Sequence, residues 1–568
     1  MKPAMRCTVV VLLALTGACQ PERTVDPADI VFVNGGIYTV DRERSWAEAA
    51  AVRDGIIVAV GTNEGIEEYK GGATRIIDLK GRMAVPGFHD SHAHPLEGGY
   101  LMRYCDLSEL GTNIDAIIRI IRDCVAASDD EWIIGFGLDL SLFGPNGPDK
   151  RLLDDIAPDR LFLIDAEDGH SALVNSRTLE LAGIDRDTPD PVHGVIERRP
   201  VTGEPSGTLR ESARDIVDAL RPARELDESV AAMGDAIRSM NAMGITSVID
   251  AWAGELELKA YRELELAGSL TMRVRNSIVD EGVFGKHFGP DFERVLAARH
   301  ELASDLIDND SVKIYVDGVF EGETASVIEP YHELGHRGTL NHSPDELKER
   351  VARYDSMGLQ VHMHTMGDGG ARAALDAIEY ARGQNADASE SRDLRHHLAH
   401  LGLIHADDIA RFGQLNVAAN FTAAWAYPTD WDLKLNLPTL GRERIDAMYP
   451  IDSVHSAGGV VVGGSDWIYG PLDPLISIEV AITRQDPNDP DGLIGNTDDS
   501  VDISTMIDAY TINGAWLMHQ EDRTGSIDIG KRADIVVLDR SLFAIPATEI
   551  SEASVDLTIF DGTVVYER

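Results

Sequence analysis

The sequence predicts an α/β chain built on a (β/α)8 barrel, with a small β-sandwich domain assembled from both ends. Three observations carry this expectation. Across residues 87–516, apolar β-branched runs alternate with amphipathic helical stretches, as parallel strands joined by helical crossovers require. Both flanks are instead short β-rich runs separated by turns. Finally, histidines, a lysine and an aspartate close several of the central runs, and in a parallel barrel such strand ends share one face.

Residues 1–18 stand apart from the fold. Lys2 and Arg6 precede the apolar run 9–15, and Gly17 and Ala18 come just before Cys19. This is the layout of a bacterial secretory signal. The tetrad TGAC resembles a lipoprotein signal in which Cys19 becomes the lipidated first residue. The expectation is an exported protein facing the periplasm or the cell exterior, touching the membrane only through that anchor. The apolar run itself is too short to span a bilayer.

Residues 27–86 and 517–568 are the expected small β domain. Runs 30–40, 51–61 and 74–85 are punctuated by Asn-Gly, Asp-Gly and Gly-Arg turns, and runs 525–538 and 557–566 repeat that texture. Between them lie strand-like runs 246–249, 312–316, 359–364 and 460–464, with helical stretches 343–357 and 371–381. A minimal barrel needs ~250 residues. The surplus is expected as an insertion at about 105–232, carrying WIIGFGLDL and DGHSALVN.

Fifty-one basic against 96 acidic residues give a formal charge of −45, spread along the chain. Such a surface excludes nucleic acid and anionic membrane as partners of the body. A small-molecule substrate is the expected partner, and the sequence carries no signal for an oligomeric state. Cys105 and Cys124 are able to pair in an oxidising compartment. Their geometry is open at this level.

The stretch PGFHDSHAHP sets His92 and His94 two apart at the end of an apolar run, hence on one face of a strand. Neutral imidazole is a good ligand for divalent metals, although a histidine pair alone is more often structural. Downstream, Lys313 lies in SVKIYVDG, His364 in LQVHMHTMGD, His400 in RHHLAHLGLI and Asp466 in VVVGGSDW. A carboxylate buried behind small and apolar residues needs a partner, and a metal supplies one. At the carboxyl ends of barrel strands, His92, His94, Lys313, His364, His400 and Asp466 would converge into a metal site.

The order HxH, Lys, His, His, Asp, flanked by paired β segments, resembles the amidohydrolase superfamily. It is most similar to amidohydrolase family 3, the branch with the YtcJ-like proteins and N-substituted formamide deformylase. DGHSALVN, VKIYVDGVFEGETA, VHMHTMGD, HLAHLGLIHADDIARF, GGSDW and IDIGKRADIVVLD carry the likeness beside the HxH stretch. The resemblance implies that His92 and His94 are first-strand ligands, His364 and His400 fifth- and sixth-strand ligands, and Asp466 the aspartate after strand eight. Lys313 matches a lysine that CO2 carboxylates in binuclear members, bridging two ions. One departure is His397-Leu398-Ala399-His400, where many relatives have Arg-Ile-Glu-His. Zinc is the expected ion, and the spacing equally admits iron, manganese or cobalt.

The resemblance also places His170 toward the substrate, while Trp425 and Trp467, with Phe421, are expected to line an apolar pocket. His362, His396 and His397 are supernumerary to that set; His362 is expected to be structural, with a contact to a ligand residue or to substrate as the alternative, and Arg484 is expected to form a structural ion pair. The functional expectation is a hydrolase that cleaves a non-peptide C–N bond of an amide, formamide or N-acyl compound. Metal-activated hydroxide would attack and Asp466 would shuttle the proton. Two alternatives stand beside it: ester, lactone or phosphoester hydrolysis at the same site, and a non-catalytic surface binding lipoprotein.

Overall fold

Eight parallel strands form one continuous sheet in the computed structural model. It describes residues 25–108, 113–144, 146–166, 171–192, 194–280, 292–386, 393–429, 432–489 and 491–568. The strands are β1 (Phe88–Ala93), β2 (Ile245–Ala253), β3 (Arg273–Val279), β4 (Ile307–Tyr315), β5 (Gln360–Thr365), β6 (His397–His400), β7 (Ala418–Phe421) and β8 (Val460–Gly463). Spatial order follows chain order from β1 to β8. The expected barrel is therefore present.

Closure between β8 and β1 falls just beyond the end of β8. Ala93 and Trp467 form a parallel bridge. The Asp466 N–H donates to the His92 carbonyl at 2.8 Å, and the His94 N–H donates to the Trp467 carbonyl at 2.8 Å. Gly464 permits this approach, because a Cβ there would lie 2.7 Å from the His92 Cβ and 2.8 Å from Asn420 Oδ1.

Strand alternation sorts side chains between the barrel interior and the helical layer. In β5, Val361 and Met363 are fully buried in the main hydrophobic core, which leaves His362 and His364 to the opposite face. The helix Pro344–Ser356 that leads into β5 begins with a Ser343–Glu346 capping box and a proline in its first turn. It buries Leu347, Val351 and Tyr354, the stripe expected of an amphipathic helix.

Between β1 and β2 the chain builds a second sheet of six strands. Its order is Gly194–Arg198, Pro205–Glu211, Ser171–Val174, Leu161–Ala166, Trp132–Leu138 and Cys105–Asp106. Ile117, Ile121, Leu138, Phe162 and Ile164 form part of its own core. Cys105 and Cys124 are disulfide-bonded with Cα atoms 5.8 Å apart, tying the edge strand to the helix Ile114–Ala127.

This layer ends earlier than the expected boundary near 232. Helix Leu226–Ala242 buries Met233, Ala236, Ile237 and Met240, and Met233, Ile237 and Met240 join the barrel's core. The helix therefore belongs to the barrel, and a cut at 232 would fall in its middle.

The termini supply two further sheets. One orders Ile56–Gly61, Ala49–Arg53, Ile30–Val33 and Arg75–Asp78. The other orders Thr563–Glu567, Val555–Phe560, Ile535–Leu538, Met83–Pro86, Gly36–Tyr38 and Trp46–Ala47. Phe32, Val52 and Ile57 from the first share a core with Ile37, Ile535 and Ile559 from the second, a sandwich built from both ends of the chain. Among the described residues no helix is long and apolar enough to cross a membrane.

Candidate metal centre

The strand ends bring most of the expected residues together. His92 Nε2 stands 3.3 Å from Asp466 Oδ1, and His94 Nε2 stands 3.0 Å from the same oxygen. One ligand atom from each of the three lies within 4.8 Å of the others. Lys313 Nζ is 3.3 Å from His92 Nε2. His400 Nδ1 is 3.8 Å from Asp466 Oδ2, and its ring lies 4.7 Å from that of His92 and 4.5 Å from that of His364. All six expected ligands are buried.

Two of these residues have unusual backbones. His400 has φ 76° and Asp466 has φ 51°, left-handed values that cost of order 1–3 kcal/mol on a non-glycine residue. Each sits where a strand stops, so the strained turn aims the side chain across the barrel mouth. The surrounding sheet holds it there.

Burial dominates the electrostatics. It lowers the Lys313 ammonium to about 7, against a smaller opposing pull from Asp466. It lowers His92 to about 3, with Lys313 adding to the effect, and pushes His400 well down. For Asp466 burial acts upward, but His400 and hydrogen bonds from His92 and His94 outweigh it and hold the carboxyl well below its usual range. The site thus presents neutral imidazoles at His92 and His400, an ionised Asp466 carboxylate and a lysine whose neutral amine is accessible.

That donor set fits a divalent ion. Imidazole nitrogens and a carboxylate oxygen are the ligands such ions take. His364 Nδ1 is buried with no hydrogen-bond partner among the described residues, 3.5 Å from Asp317 Oδ1. Neither Lys313 nor any ligand histidine is committed to a carboxylate other than Asp466 or Asp317 among the described residues.

The second layer is richer than sequence reasoning found. His362, expected to be structural, places Nε2 2.9 Å from His92 Nδ1. Thr422 Oγ1 lies 3.2 Å from His400 Nδ1. Asp317 accepts from the N–H groups of Ser326, Met366 and Gly367, each at 2.9 Å, fixing the turn beyond His364. Asp90 accepts from the N–H groups of His92 and Ser465 and from the Ser465 hydroxyl. Its place two residues before His92 on one strand face was the available signal. For Thr422 there was none.

Trp425 stacks on His400, with ring planes 11° apart and centroids at 5.8 Å. Trp467 turns elsewhere: a Cβ on Gly98 would meet its indole at 2.4 Å, so it packs on the helix after β1. Tyr315 and Tyr469 instead bring rings to His364 and His94. His170 lies outside the described residues, as do Cys19 and the signal-like stretch. Arg484 makes no ion pair among the described residues, contrary to expectation. Its guanidinium donates to the carbonyls of Met448 and Tyr449 at 2.8 and 3.1 Å, stitching a turn where Tyr449 has φ 54°.

Residues 75–566 match the amidohydrolase family. The chain belongs to that family. It is 29% identical to the putative amidohydrolase YtcJ of Bacillus subtilis (strain 168), covering 95% of this chain and 99% of the relative. It is 28% identical to the N-substituted formamide deformylase of Arthrobacter pascens, covering 95% and 98%. Among solved structures, an uncharacterized metal-dependent hydrolase from Pyrococcus furiosus superposes with a TM-score of 0.72 at 24% identity, over 90% of this chain and 99% of that one. That last likeness carries the fold. Together with the His92–His94–Asp466 cluster, family membership supports a hydrolase that uses a divalent metal.

Proposed function

We propose that this amidohydrolase-family protein hydrolyses a non-peptide C–N bond in a small amide, formamide or N-acyl compound. The observation that carries the reading is the position of Asp466. Its ionised carboxylate shares one oxygen between His92 and His94 and turns the other toward His400. The full-length likeness to a formamide deformylase adds the substrate class.

A divalent ion held here would supply Lewis acidity, activating water at neutral pH and polarising a carbonyl oxygen. His92, His94, His364 and His400 are the residues that would hold it, with Asp466. Zinc is the proposed ion. Two ions are proposed, and a carboxylated Lys313 would help to hold them, because its buried amine faces His92 Nε2 and no carboxylate among the described residues pairs with it.

Asp466 accepts the proton of the attacking water as the new C–O bond forms. It returns that proton to the nitrogen as the C–N bond breaks, so an amine leaves and a carboxylate remains. Trp425, stacked on His400, is proposed to line the substrate pocket. His170 is proposed as a further substrate contact. We further propose that the protein is exported and held by a lipid on Cys19, its acidic body turning away nucleic acid and anionic membrane.

The test is turnover of matched amide and ester substrates, side by side, by protein loaded with Zn2+. Amide or formamide hydrolysis exceeding that of the matched ester supports the reading. Ester, lactone or phosphoester turnover with no amide cleavage replaces it, and no turnover of any class points to a binding protein.

A further inference from the structure

His92 uses both ring nitrogens. Nε2 faces Asp466 and Lys313 at 3.3 Å each, and Nδ1 faces His362 Nε2 at 2.9 Å. His362 Nδ1 in turn lies 3.1 Å from Ser277 Oγ, which lies 3.0 Å from Ser311 Oγ. The chain is entirely buried. Strand register assembles it: Lys313 and His362 are partners across β4 and β5, and Ser277 and Ser311 are partners across β3 and β4.

Proton bookkeeping gives this chain a direction. A cation on His92 Nε2 needs the lone pair there, so the single proton of a neutral ring sits on Nδ1. Nδ1–H then donates to His362 Nε2, which has to be bare. His362 keeps its own proton on Nδ1 and donates it to Ser277 Oγ, which is left to donate to Ser311. Among the described residues, nothing else hydrogen-bonds the His362 ring. His397 packs against it with centroids 4.1 Å apart, but both His397 nitrogens are buried without a hydrogen-bond partner.

We propose that His362 is a positioning residue that fixes His92 in the tautomer presenting Nε2 to the metal. The sequence offers no reason for a histidine at 362 as packing alone, since its strand neighbours Val361 and Met363 fill the core on the other face. A hydrophobic residue would fill the same volume and leave His92 Nδ1–H buried and unpaired. Outer partners of this type typically carry 10- to 100-fold in metal affinity or activity. The inference rests on the reading of His92 as a ligand.

The experiment measures Zn2+ affinity by competition with a chromophoric chelator, beside the melting temperature of metal-free protein. His362→Leu is expected to bind Zn2+ about 10- to 100-fold more weakly. His362→Gln, whose amide oxygen can accept from His92 Nδ1, is expected to recover most of that loss at an unchanged metal-free melting temperature. Affinity in His362→Leu equal to wild type overturns the proposal, as does equal weakness in Leu and Gln variants. If His362→Leu does not fold, Ser277→Ala takes its place. It removes the acceptor that orients His362, with an expected loss of about tenfold, and unchanged affinity overturns the proposal. A wild-type protein that takes up no Zn2+ overturns the metal reading beneath it.

Discussion

Asp466 is tied to His92 twice. Its backbone N–H donates to the His92 carbonyl at 2.8 Å, and its Oδ1 stands 3.3 Å from His92 Nε2. The first contact closes the barrel between its last and first strands, and the second assembles the centre. The same residue therefore closes the barrel and joins the candidate site, and the backbone hydrogen bond holds its left-handed conformation in place.

Asp466→Asn keeps the shape and the backbone tie while removing the proton acceptor. Turnover of an amide substrate is expected to fall at least about 100-fold, the lower end of what general acid–base groups contribute. Steady-state kinetics with a substrate-binding measurement on the same variant checks this. Binding is expected to persist, and unchanged turnover would reject the shuttle role.

The residues that converge at the strand ends were legible in the sequence because chemistry-bearing residues interrupt runs that should be apolar. Lys313 within a β-branched strand and Asp466 after three valines and two glycines are conspicuous for that reason. Their supporting partners were not legible. Ser277, Thr422 and His362 acquire their roles from register between strands distant in the chain, and a serine or threonine in a strand has many ordinary uses. Trp467 misled because an aromatic residue beside a ligand reads as pocket lining, whereas Gly98 opens a slot that takes its ring. The boundary near 232 failed for a related reason. Met233, Ile237 and Met240 continue a helical stripe whose partner, the barrel core, is invisible one segment at a time.

The Cys105–Cys124 bond closes a loop of 19 residues. Constraining a loop of this size in the unfolded chain contributes about 3 kcal/mol. Replacing both cysteines with serine is expected to lower the unfolding midpoint of the six-stranded layer while leaving metal content unchanged, because that layer has its own core. Circular dichroism melts with and without reductant read this out. Identical melts would show that the bond contributes nothing.

Acid is expected to destabilise the metal-free protein before any carboxylate titration is complete. Burial lowers His89 and His92 to about 3, and lowers His362, His397 and His400 well below the usual value. Below pH 6.5 the unfolded chain binds protons at these positions and the folded one does not, so stability falls with pH. Each such histidine contributes about 1.4 kcal/mol per pH unit. Burial also raises Asp90 and Asp473 to about 6 and raises Asp250 well above its usual value. Those three act with the opposite sign, as do smaller upward shifts at Asp218, Glu257, Asp508 and Asp534. Against them stand the histidines, with His342 and His519 also lowered, whose protonation in the unfolded chain falls inside this pH window. The urea midpoint is expected to drop between pH 7.5 and pH 5.5, and a flat or rising midpoint would contradict this.

The barrel mouth is proposed above as a metal centre that includes a carboxylated Lys313. Elemental analysis of protein lacking residues 1–18, beside a Lys313→Ala variant, tests it most directly. Roughly two divalent ions per chain, falling in the variant, are predicted by a carboxylated bridge between two ions. One ion untouched by the variant would remove the bridge from the account. No retained metal after purification with divalent ions supplied would contradict the account as a whole.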